Sequence, residues 1–307
     1  GLVMIYVDAP YKDGKPDPEN MKLVNIGNAY DQTGFLEELK ADKLFNEYNF
    51  TPAIGIYSFL SEKLSDPRKT EIKKLIAEGL NYYLQFSFEK AHNSLSEALR
   101  KINQFEILKE FESHIKKQIE ILEILKRNDT QNSNYFSLLK DHQFSEKILL
   151  TLISQSEIYA EIGHFDFAVI LLYRTLELIS QIKLAQHNID TSKVQQEIKE
   201  KYNEEFKKIT KEIFGAESEI PDRIALLHGW ILLYCLKDEI VKNEKIEFLK
   251  GMRNQIEVRD LLWIEHKNRH ITKDEYERFK KYVEMWVSKI DKNFKEKLKD
   301  YKFIKFK

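Results

Sequence analysis

The stretch RDLLWIEH sets Arg259 and His266 seven positions apart, late in a chain of 307 residues. These are residue types that can cut RNA without a metal. RNA carries its own nucleophile in the 2′-OH. A histidine with a pKa near 6.5 takes or gives a proton at neutral pH, and an arginine holds the charge that grows on the phosphoryl oxygens. A second pair, Arg223 and His228 in RIALLH, is five positions apart. Around a helix, residues seven apart differ by about 20° and residues five apart by about 140°, so only the first pair shares a face. That face flanks an apolar stripe of Leu249, Met252, Ile256 and Trp263. Along the axis the pair would stand about 10 Å apart. One copy would scarcely enclose a phosphodiester, whereas two copies across a twofold axis set each motif against its mate. A polar pair at a helix end is also, and more often, a solvated cap or an interface salt bridge, and spacing alone leaves both readings open.

Composition narrows the function classes. Hydrophobic residues make up 42% of the chain, enough for a substantial core and about two domains. Charged residues make up 32% but nearly cancel to a net charge of -1, so an RNA site has to be local. Cys235, the single cysteine, lies in the apolar run ILLYCL, which fits packing in a reducing compartment rather than catalysis. No apolar run reaches the roughly 20 residues that span a bilayer, and no signal peptide is expected. A soluble cytoplasmic protein with no membrane partner is expected. There is no glycine-rich phosphate loop, zinc-ligand spacing or serine-hydrolase elbow. Neither metal nor cofactor is expected.

The elements that must position the pair are helical. Six prolines and ten glycines leave long stretches of helical periodicity. The start differs: a strand-like run from Leu2 to Val7 passes into a Pro/Gly-rich connector, and a single strand has no partner for its backbone groups. It is expected to be the remnant of a domain whose earlier part is missing. From Glu37 the pattern becomes helical hairpins. YNFTPAIGIYSFL, FSFEKAHNSLSEAL and GHFDFAVILLYRTLEL share an aromatic, an alanine a few residues on, then an apolar helix. Ala53 and Ala91 are 38 residues apart, and Ala168 follows 77 further on. This spacing suits a degenerate tetratricopeptide-like array, the small alanine allowing close helix approach.

The polar stretch KRNDTQNSN, Lys126 to Asn134, marks a boundary. Beyond it the periodicity predicts helices over 145–163, 165–187, 193–213, 222–241, 244–264 and 272–295. Start signals are Ser192, Pro221, Asn243, and a capping box of Thr272 with Glu275. The expected fold class is all-α, in three parts: a strand-bearing remnant and connector over 1–36, a helical-repeat linker over 37–143, and a helical bundle over 144–307.

Three stretches, VDAPYKDGKPDPENMKLVNIGNAYD, FDFAVILLYRTLELISQIKLAQHNIDTSKV and the late Arg/His motif, occur in this order in one family. The chain resembles the linker and C-terminal half of the CRISPR-associated CARF and HEPN effectors of type III systems. That resemblance implies an antiviral endoribonuclease: a dimeric HEPN domain cuts single-stranded RNA, and a CARF domain senses cyclic oligoadenylate. Here cyclic oligoadenylate would act only through the missing sensor, so neither binding nor activation by it is expected of residues 1–307. Carried over by position, the family's arginine falls on Arg259, its polar neighbour on Asp260 and its histidine on His266. Several neighbours depart from the pattern: Asp260, Leu262, Glu265 and Lys267 stand where the family often has asparagine, serine, a small residue and glycine. Arg253, beside Asn254, rivals Arg259 for the arginine position.

Arg253, Arg269 and His270 are candidates to touch RNA. Glu177, with Arg174 three residues before it, reads as an intrahelical ion pair. In the tail KNFKEKLKDYKFIKFK, lysines interleave with aromatics that could meet phosphates and bases, or simply form a solvated amphipathic end. Two functions share this fold: a metal-independent endoribonuclease acting as a homodimer, and a non-catalytic repeat scaffold with an inert dimerisation module.

Overall fold

One turn geometry recurs at three hairpins, at the three sequence stretches that look alike. Tyr48 (φ 59°), Phe86 (φ 56°) and Gly163 (φ 81°) are left-handed. At each turn the left-handed residue's N–H bonds the carbonyl three back, and the next N–H bonds the carbonyl five back. This is the Schellman arrangement, which satisfies carbonyls orphaned at a helix end. The following helix then opens with a phenylalanine, Phe50, Phe88 or Phe165. Three residues further on stand Ala53, Ala91 and Ala168, each fully buried. The recurrence is therefore a stop and a restart of helix, with a buried small residue in the new helix's first turn.

The computed structural model describes residues 4–27, 29–129, 134–262 and 269–306. The fold is all-α apart from short strands near the start. Its residues cluster into two units, Gly1–Glu123 with Phe303–Lys307, and Ile124–Lys302. Thr130 to Ser133 of the polar boundary stretch lie outside the described residues.

In the first unit β1 (Met4–Asp8) pairs antiparallel with β4 (Lys22–Gly27), Tyr6 opposite Val24 and Val7 opposite Leu23. The expectation of a partnerless strand is thus corrected: its mate lies within the connector, where the Pro/Gly-rich flank hides a six-residue strand. Between them β2 (Tyr11–Lys12) and β3 (Lys15–Pro16) form a tight hairpin. Asp13 and Gly14 at its tip both have positive φ, the type I′ turn that Asp-Gly favours. Five helices follow: α1 (Ala29–Asn46), α2 (Phe50–Lys63), α3 (Arg68–Leu84), α4 (Phe88–Phe105) and α5 (Glu112–Leu125).

The second unit is built around α8 (Phe165–Gln186). Against it pack α6 (Tyr135–Lys140), α7 (His142–Glu161), α10 (Leu226–Cys235) and α12 (Lys273–Ile290). Gly229 on α10 is required by the approach to α8, because a Cβ there would lie 2.7 Å from Ser180 Oγ. Next to it Trp230 Nε1 donates to the Leu176 carbonyl at 3.2 Å. The remaining α-helices among the described residues are α9 (Gln196–Phe214), α11 (Glu247–Ile256) and the short α13 (Phe294–Lys297).

Several predicted boundaries move. α9 begins at Gln196 rather than 193, and Pro221 and Arg223 precede α10, which starts only at Leu226. α10 ends early because Lys237 (φ 54°) turns the chain in another Schellman motif. α11 runs ten residues, not 244–264. It tightens into a 3-10 turn at Glu257–Leu261, and Leu262 (ψ 121°) has left the helix. The Thr272–Glu275 capping box is present in full. The tail is amphipathic, but its aromatics are not open to bases: Phe294, Leu298, Tyr301, Phe303, Ile304 and Phe306 are all buried, while Lys295, Lys299, Lys302 and Lys305 are exposed.

Candidate active site

Arg259 sits in the 3-10 turn that follows α11. Its Nη1 donates to Tyr173 Oη at 3.2 Å, and its Cζ stands 5.2 Å from the centre of the Tyr173 ring. Tyr173 belongs to α8, so the guanidinium is held on the central helix by a hydrogen bond and a cation–π contact together. The helix predicted to run continuously over 244–264 is interrupted, because the α-helix ends at Ile256 and Leu262 has left helical geometry. No glycine or proline between Ile256 and Leu262 announces that end. His266 itself lies outside the described residues, as do Trp263, Glu265 and Lys267.

Beyond that segment the chain returns to the same place. Arg269 N donates to the Leu261 carbonyl at 3.2 Å, and Leu262 and Arg269 form a parallel bridge. The Arg269 guanidinium meets both carboxylate oxygens of Glu275, at 2.5 and 3.0 Å. That guanidinium holds the Glu275 carboxyl down at about 2, with the Thr272 N–H and hydroxyl assisting.

His270 is oriented by a carboxylate. Its Nδ1 lies 2.8 Å from Asp166 Oδ2, while Asp166 Oδ1 accepts the Ile271 N–H at 2.7 Å. Asp166 is only 6% exposed and stands in the first turn of α8, where the helix dipole favours negative charge. Asp166 and Tyr173 are seven residues apart, which puts them on one face of α8 about 10 Å apart along its axis. Arg259 and His270 are therefore anchored to one face of one helix.

Asp260 lines a cavity of about 530 Å³ with Asn254, Glu257, Glu275, Arg278 and Phe279. A second cavity, of about 480 Å³, opens at His164, Asp166, Phe167 and His270. Arg253, the rival arginine, donates to the Ile213 carbonyl at 2.6 Å, at the end of α9, and lies over the Phe214 ring. There it serves as a cation at a helix C-terminus. Arg174 and Glu177 form the expected intrahelical pair at 2.6 Å. His228 rests against the Phe206 and Phe214 rings, and burial pulls its pKa down. Burial pushes the Cys235 thiol up to about 12, which suits packing. Among the described residues no three His, Cys, Asp or Glu side chains gather as metal ligands, and no helix is long and apolar enough to cross a membrane.

Asp166 and Tyr173 are site residues that the motif alone does not point to. Asp166 did leave a trace, as an acid in a predicted first helical turn, GHFDFA. Tyr173 left none.

The helical bundle around this central helix falls within the stretch that the comparison with known families matches. Residues 140–289 match the family model described as Csm6 HEPN domain. The C-terminal part of the chain thus matches a CRISPR-associated HEPN domain, and the match contains Arg259, Asp260 and His266. No curated protein matches the chain.

Proposed function

We propose that this protein is a metal-independent endoribonuclease that cuts single-stranded RNA in CRISPR type III antiviral defence. The observation that carries the reading is the HEPN match over 140–289 with an arginine, a polar residue and a histidine inside it. In the proposed step the 2′-OH gives up its proton and its oxygen bonds to phosphorus. The P–O5′ bond breaks, and the departing oxygen takes a proton. His266 transfers protons, Arg259 holds the charge on the phosphoryl oxygens, and Asp260 stands beside the arginine as the family's polar residue does.

The position of Arg259 supports this, since a guanidinium fixed on Tyr173 loses little further freedom when it meets a phosphate. Arg269 and His270 flank the site on the other side of the motif. Arg253 and Arg269 already serve protein acceptors, so their contribution to RNA binding is proposed as secondary.

Labelled single-stranded RNA incubated with the protein in EDTA tests the reading. Cleavage is expected in the wild type, with a loss of about 100-fold or more in Arg259→Ala and in His266→Ala. Arg223→Ala and His228→Ala are expected to retain most of it. A wild type that leaves RNA intact favours the scaffold. Equal loss in all four folded variants shows that the motif is misplaced.

A further inference from the structure

The first unit holds a segment of the same chain in the way a groove holds a peptide. Phe303, Ile304 and Phe306 are buried while Lys302 and Lys305 are exposed, and none of the four residues from Phe303 to Phe306 is in helix or strand. Asn46, the last residue of α1, grips the backbone of Phe306 at both ends of its polar set. Its Nδ2 donates to the Phe306 carbonyl at 2.6 Å, and its Oδ1 accepts the Phe306 N–H at 2.7 Å. One side-chain amide thereby replaces the ladder bonds that a neighbouring strand would provide.

Two aromatic sites flank this clamp. The Phe306 ring stacks on Phe45 at 4.2 Å and 24°, with Phe111 edge-on at 5.4 Å. Above the same ring lies the ammonium of Lys73, 4.8 Å from its centre. Lys73 is 3% exposed and bonded to Asp42 and Glu38, so its charge is paired and its position fixed before any ring arrives. The Phe303 ring is met by Tyr83 at 5.6 Å and Phe50 at 6.1 Å, and Lys305 Nζ lies 4.8 Å from the Tyr48 ring.

A backbone clamp, a prepaired buried cation and two aromatic sites three residues apart select for sequence as well as shape. We propose that this face of the first unit is a recognition site for an extended segment with two aromatics three residues apart and interspersed lysines, and that residues 302–306 are its tethered ligand. The same segment offered on a separate molecule competes for the site.

The test uses the full chain with Phe303→Ser and Phe306→Ser together, and a fluorescein-labelled peptide YKFIKFK read by anisotropy. A tether gives the chain's own segment an effective concentration around millimolar, so the peptide should bind the double variant on the order of 100-fold more tightly than the wild type. Peptide YKSIKSK should bind neither protein. Equal affinity of YKFIKFK for wild type and variant, or equal affinity of the two peptides for the variant, would overturn the proposal. A readout that needs no variant is hydrogen exchange at the Phe306 amide of the wild type. Millimolar YKFIKFK should speed it, and an unchanged rate would equally overturn the proposal.

Discussion

Single side chains here are assigned by their partners more than by their types. Of the late arginines, Arg253 closes a helix end on the Ile213 carbonyl, Arg269 is forked onto Glu275, and Arg259 lies on a tyrosine ring. The histidines divide in the same way. His270 faces a buried carboxylate, whereas His228 lies among rings, where burial lowers its pKa. A histidine with a depressed folded pKa adds stability that is full above its unfolded pKa, near 6.5, and is lost as the pH falls toward the folded value. His228→Gln removes the titration. The stability difference between wild type and His228→Gln should therefore narrow as the pH drops from about 7 to about 5. Melting followed by circular dichroism across that range checks it, and a constant difference would show that His228 titrates alike folded and unfolded.

At the scale of elements, the ends of helices set the site more than their middles do. The 3-10 turn after α11 presents Arg259 to α8, and the capping box at Thr272 starts α12 immediately after Arg269 and His270. Glu275 serves two masters in that box, the Thr272 backbone N–H and the Arg269 guanidinium. Thr272→Ala removes the hydroxyl that accepts the Glu275 N–H and should lower stability by about 1 kcal/mol. Urea denaturation measures it. No change would mean that the Arg269 fork alone holds the start of α12.

At the scale of the whole molecule, a homodimer is predicted for the proposed nuclease, since one Arg/His motif would span too little to enclose a phosphodiester while a twofold axis doubles it. Light scattering at micromolar concentration is expected to give twice the chain mass. A monomeric mass for protein that still cuts RNA would overturn the dimer and leave the nuclease standing.

Much of the fold was legible in local pattern because its causes are local. Phenylalanine and alanine three apart after a turn, as at Phe50 and Ala53, announce a helix restarting. Thr272 with Glu275 announces a cap, and Asp13-Gly14 a hairpin tip inside its connector. The candidate site was legible only as residue types. Where α11 stops, which helix receives Arg259, and which carboxylate orients His270 depend on groups far away in sequence. Tyr173 lies 86 residues from Arg259, and Asp166 lies 104 from His270. The separation is widest at Asn46 and Phe306, 260 residues apart. A run of lysines and phenylalanines carries no local sign that an asparagine at the end of α1 will hold it. Periodicity records which face of an element is apolar, and caps record where its backbone groups find nearby partners. Which elements then share those faces is decided by packing, and only the tertiary structure determines it.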